Sequence, residues 1–162
     1  LLTSLKKTGP DPEIMANAGE WVNLTGIPFY RDGFVVIASR SAEALEKPAN
    51  APTPDQGKSL GEFSLVGEIV DSKCYPGVMK PGQTKTHRAC AIRCISGGVP
   101  PVLVVHNEKS EKLYFLLADS QGKAVNSRVL DKVGDPVEIT GEVVQYGDML
   151  ILKADPQTYS LA

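Results

Sequence analysis

The chain is poor in the residues that usually announce a function. Its 162 residues include two histidines, three cysteines, one tryptophan and 6% aromatics. Two histidines limit any histidine-based catalysis to His87 and His106, and no G-x-S-x-G, H-E-x-x-H or P-loop pattern is present. No enzyme signal rises above background. Three cysteines are too few for a fold built on disulfides. Neither sign of charge dominates. Lys and Arg number 17 against 19 Asp and Glu, a net charge of −2, so no molecule-wide basic field is available to grip nucleic acid. No apolar run approaches the roughly 18 residues of a membrane-spanning helix. What remains is an ordinary globular composition, 42% hydrophobic and 22% charged, long enough for one domain and an arm.

Residues 1–58 read as an N-terminal arm, and residues 59–162 as the main domain. Gly9, Pro10, Pro12 and Gly19 make residues 1–19 irregular. The β-prone runs around Trp21–Leu24 and Phe34–Ile37 flank Arg31-Asp32-Gly33, and Asp-Gly is a strong hairpin turn signal. Pro28 restricts the first of these strands to a sheet edge. Residues 41–46 are expected to form a helical turn. Residues 47–58 carry three prolines and read as a linker.

The main domain reads as strand, loop with helix, strand, strand, helix, strand, strand. Its strands are expected around Phe63–Ser72, Val102–His106, Leu113–Leu117, Val137–Val144 and Met149–Leu152. Its helices are expected at 87–95, capped by Thr86, and at 123–133, where Val125, Val129, Leu130 and Val133 fall at helical spacing. Five strands in this order predict a mainly β protein: a five-stranded OB-like barrel with two short helices, plus an N-terminal β-hairpin arm. A split β-sandwich is the competing architecture. Gly67 and Gly141 sit inside strands, as a sharply bent barrel strand requires.

One cluster carries chemistry. Cys74, His87, Cys90 and Cys94 are spaced C-x12-H-x2-C-x3-C. On a helix, positions 87, 90 and 94 share one face. The Pro/Gly loop 75–85 can bring Cys74 back beside that face. These four residues then suit a tetrahedral zinc ion, and thiolate with imidazole also suits copper. Met79 and His106 are further donors that no spacing ties to the site. The competing reading is a structural staple, with Cys74 bridged to Cys90 or Cys94. Closing a loop of roughly 15–20 residues is worth about 3 kcal/mol in the chain-entropy view. A third reading is a reactive thiol, since Lys73, Lys80, Lys85, Arg88 and Arg93 surround the cysteines and positive charge favours thiolate. The same basic residues could contact an anionic surface.

The stretch from Gly67 to Pro101 resembles a group of uncharacterised bacterial secreted or membrane-anchored OB-like proteins. The shared motif is Val-Asp-x-x-Cys-Tyr, then His-x-x-Cys-Ala-x-x-Cys, then a Gly/Pro turn, matched at Val70, Asp71, Cys74, Tyr75, His87, Cys90, Ala91, Cys94, Gly97 and Gly98. The resemblance implies export, to the periplasm or another extracytoplasmic space, and it implies no particular activity. Leu1, Leu2 and Leu5 followed by Lys6 and Lys7 fit the tail of a signal or anchor segment. The expected role is a non-catalytic accessory or binding subunit whose partner is a membrane-associated protein assembly. The alternative is a zinc, copper or thiol-redox protein centred on the Cys/His cluster. In either case Cys74 tethers the loop, so Cys74→Ser is expected to speed limited proteolysis within residues 75–86. Unchanged cleavage there would count against both.

Overall fold

The computed structural model describes all 162 residues. Residues 1–44 form a three-stranded sheet. Its strands are β1 (Leu2–Ser4), β2 (Val22–Arg31) and β3 (Phe34–Ala44), in the order β1-β3-β2. A four-residue helix, α1 (Pro12–Met15), lies between β1 and β2. The Asp-Gly turn forms as the sequence predicts. Asp32 and Gly33 both take positive φ, 51° and 83°, the conformation that matches the twist of the two strands it joins. Pro28 sits on β2, the edge strand, where its missing N–H leaves no partner unsatisfied.

The five-stranded barrel is closed. It uses β4 (Lys58–Asp71), β5 (Pro101–His106), β6 (Lys112–Ala118), β7 (Pro136–Tyr146) and β8 (Met149–Lys153). The ring runs β4-β5-β6-β8-β7 and back to β4, with β6 and β8 parallel and every other pair antiparallel. This is the OB-like order, and it removes the sandwich alternative. A two-residue strand, β9 (Ser160–Leu161), extends the β7 side. Alternate residues of the strands fill the interior, among them Ile69, Leu103, Phe115, Ile139, Val143 and Leu152. Gly67 and Gly141 prove necessary for close approach between strands. A Cβ at Gly141 would collide with the carbonyl oxygen of Lys153, and one at Gly67 with that of Val104.

Three local expectations are corrected. Residues 41–44 continue β3 instead of turning, because β2 is long enough to pair Val22 with Ala44. The helix expected at 123–133 is absent. Two 3-10 turns, Asn126–Arg128 and Leu130–Lys132, stand there. Val125, Val129 and Val133 are fully buried all the same. Their β-branched side chains suit a helix poorly. The Asp119 carboxylate also draws the N–H groups of Gln121 and Lys123 into a turn. The third correction concerns helix α2, which spans Thr84–Ser96, so Thr86 lies inside it and does not cap it. The carboxylate of Glu68, on β4, accepts the Thr84 N–H in its place. Ala91 and Ile95, on the adjoining stripe of α2, pack into the barrel core.

The arm is docked on the barrel. Leu1 and Phe34 pack with Tyr114 against Val70, Tyr75, Val102 and Val104. Lys73 is buried at 5% exposure, and its Nζ donates to the carbonyl oxygens of Ser4 (2.7 Å) and Lys6 (2.5 Å). No helix is long and apolar enough to cross a membrane. A Gly141→Ala substitution is expected to lower stability by about 1–3 kcal/mol, since the opposing Lys153 carbonyl is held in β8. The midpoint of urea unfolding reads this directly, and an unmoved midpoint would refute the close-approach argument.

Candidate metal centre

The centre begins where β4 ends. Asp71 is the last residue of that strand, and a five-residue π-turn, Cys74–Val78, leads into the Pro/Gly loop. Asp71 is fully buried. Its Oδ1 accepts the Cys74 backbone N–H at 2.7 Å, which fixes the start of the turn. Its Oδ2 lies 3.2 Å from Nε2 of His87, itself 4% exposed.

The turn aims the Cys74 sulfur at the face of α2 that carries the other two cysteines. Cys74 Sγ lies 4.0 Å from Cys90 Sγ and 3.9 Å from Cys94 Sγ. All three cysteines are unbridged. Cys74 and Cys94 are buried, and Cys90 is partly open to solvent. Val99 closes the site from below, packing with Cys74 and Cys94.

The expected four-residue set divides into two overlapping groups. Cys74, Cys90 and Cys94 have their sulfurs within 4.8 Å of one another, and the ligand atoms of Asp71, Cys74 and His87 meet the same limit. Either group could hold a metal ion. The division follows from the helix. His87 starts the shared face two helical turns before Cys94, and its ring nitrogens do not come within 4.8 Å of all three sulfurs. His106 stands exposed at the end of β5, paired with Lys112, and takes no part.

Two further side chains reach the sulfurs. Nζ of Lys7, from the arm, donates to Cys90 Sγ at 3.1 Å. The Cys90 thiol also points at Met79 Sδ, 3.5 Å away. Lys7 belongs to the arm, 83 positions from Cys90, and nothing in the sequence pattern links the two. Asp71 stands in the sequence as a member of the resemblance motif and as the one acidic residue of 71–94, with nothing there to assign it this role. The five basic residues expected to surround the cysteines are divided. Lys73 is buried against the arm, Lys85 and Arg88 face Asp135, and Lys80 and Arg93 are exposed.

The electrostatics set Cys74 and Cys94 apart. A hydrogen bond donated by Cys74 pulls the Cys94 pKa below the ordinary thiol value, and the Lys7 ammonium adds to that pull. The same hydrogen bond, with burial, pushes Cys74 up. Contact with Cys90 raises Lys7, which keeps it charged. Burial lowers Lys73. The thiolate is the form that binds metals, so the lowered Cys94 is the readiest of the pair to do so.

Comparison of the chain with protein-family models, with curated proteins and with solved structures returns no match.

Asp71→Ala would leave the Cys74 N–H and the His87 imidazole without their acceptor in a dry site. It is expected to cost about 2–4 kcal/mol, as two buried donors are orphaned. Thermal unfolding of the reduced protein measures it. A cost within a few tenths of a kcal/mol would show that the turn holds itself.

Proposed function

We propose that the chain is a non-catalytic binding module whose Cys74–Cys90–Cys94 centre holds one soft or borderline cation, zinc or copper. The spacing of the sulfurs carries this reading. A cation about 2.3 Å from each of several tetrahedrally arranged thiolates sets them about 3.8 Å apart. The sulfurs here stand 3.9 and 4.0 Å apart without a bond between them. Asp71 fits the role of an outer carboxylate that fixes the orientation of a ligand-bearing turn.

The wider setting of the proposal is an exported, extracytoplasmic bacterial protein that acts as an accessory subunit of a membrane-associated assembly. The resemblance of residues 67–101 supports export. A protein partner is supported by the first ten residues of β4. Residues 58–67 pair only with β7, leaving one strand edge unpaired, and Leu60, Phe63 and Val66 are exposed there. Open strand edges are ready templates for another chain.

The second reading, a structural staple or thiol-redox pair, rests on a different observation. Cys74 is nearly equidistant from two partners, so a bridge to either needs a closure of about 2 Å from the present contact. One experiment separates the two readings. Protein purified without chelator is assayed for bound metals, then denatured with chelator and alkylated under non-reducing conditions. One equivalent of zinc or copper per chain, with three alkylated cysteines, is expected. Metal-free protein with a single alkylated cysteine would replace the metal reading with the staple.

A further inference from the structure

The choice of cation depends on the fourth donor, and this inference rests on the three-cysteine metal reading above. His87 is the nitrogen donor that the sequence offers. By distance, however, its ring groups with Asp71 and Cys74 and not with Cys90 and Cys94. The side chain that does touch a sulfur of the centre is Met79, whose thioether lies 3.5 Å from Cys90 Sγ. Its position is not that of a free loop tip. Arg31 Nη1 donates to the Tyr75 carbonyl oxygen (3.1 Å) and the Pro81 carbonyl oxygen (3.4 Å), so the hairpin clamps both ends of the loop that carries Met79. The Arg31 guanidinium also stacks over the Tyr75 ring, 4.4 Å from its centroid.

We infer that the centre is a monovalent copper site, with Cys74, Cys90 and Cys94 as thiolate ligands and Met79 as the fourth, thioether donor. Thioether sulfur is a soft donor that suits Cu(I), whereas zinc sites draw on thiolate, imidazole and carboxylate. The charge pattern agrees. Three thiolates around a monovalent ion keep a net negative charge, and two ammonium groups stand near to offset it. Lys7 donates directly to Cys90, and the buried Lys73 immediately precedes Cys74. The donor set is also graded from inside to outside. Cys74 and Cys94 are buried, while Cys90 is partly open and Met79 is 43% exposed. A cation therefore has a solvent-facing side, lined by the softest pair of donors, on which ligands can exchange.

The test is a pair of competition titrations on the full, reduced chain under anaerobic conditions. Cu(I) is presented with a Cu(I)-specific chelator, and Zn(II) with a zinc chelator. Wild type is compared with Met79→Leu, which keeps the volume of this exposed side chain, and with Met149→Leu, a distant exposed methionine. The expected result is one Cu(I) per chain. Met79→Leu should weaken Cu(I) by at least about tenfold, the lower end of what even an outer-shell partner contributes, and leave zinc affinity and unfolding unchanged. Met149→Leu should change nothing. X-ray absorption of the copper-loaded protein should show four sulfur neighbours in wild type and three in Met79→Leu. Zinc bound with copper no tighter, or copper affinity indifferent to Met79→Leu, would overturn the copper assignment and leave the three-cysteine centre standing. Failure of the reduced wild-type chain to bind either ion would overturn both.

Discussion

Asp71 closes β4 with no exposure to solvent, and both of its carboxylate oxygens are engaged. One oxygen holds the backbone of Cys74 and the other holds His87 on α2. This single side chain therefore ties the end of the first barrel strand to the helix that follows the loop. The sulfur of Cys74 faces Cys90 and Cys94 because its backbone is held at that point. Removing the carboxylate would leave the turn to the loop's own preferences, and a loop of Pro76, Gly77, Pro81 and Gly82 has few that converge on α2. A buried carboxylate with two donors is costly to place and costly to disturb, so it specifies one arrangement.

The N-terminal sheet completes the site. Lys73 is turned inward because its ammonium finds two carbonyl oxygens at the end of β1 and just beyond it, and that contact brings residues 4–7 across the thiols. Lys7 then reaches Cys90. The backbone N–H of Gly9 bonds to the carbonyl oxygen of Gly97, just past the end of α2, and keeps the crossing in register. On the opposite side, the hairpin supplies Arg31 to the loop and Asp32 to Lys112. The barrel alone supplies three sulfurs and a thioether. The arm supplies the positive charge beside them and the clamp on the loop.

Much of this was legible in the residues. Strand alternation, the Asp32-Gly33 turn and the two mid-strand glycines follow from local rules that need no tertiary context, and the order of five strands pointed to the barrel although the helix expected between the third and fourth is absent. The face shared by His87, Cys90 and Cys94 is helix geometry alone. Two expectations failed for the same reason. Apolar residues at Val125, Val129 and Val133 need burial, and consecutive 3-10 turns bury them as well as a helix would. At residues 41–44, a strand partner on β2 overrode a local preference. Periodicity reports which side chains go inside; it does not report which backbone brings them there.

From the chain of residues alone came the barrel order, the turn and the convergence of three thiols near one helix, because these depend on neighbours a few positions apart or on one loop closing. The tertiary structure decided how the donors were divided. His87 goes to Asp71, which the end of β4 places beside its ring, and it does not group with Cys90 and Cys94. Lys7, Lys73 and Met79 meet the sulfurs only because an arm docks and a loop is clamped at both ends. Those contacts join residues up to 83 positions apart, and no spacing rule operates over that distance.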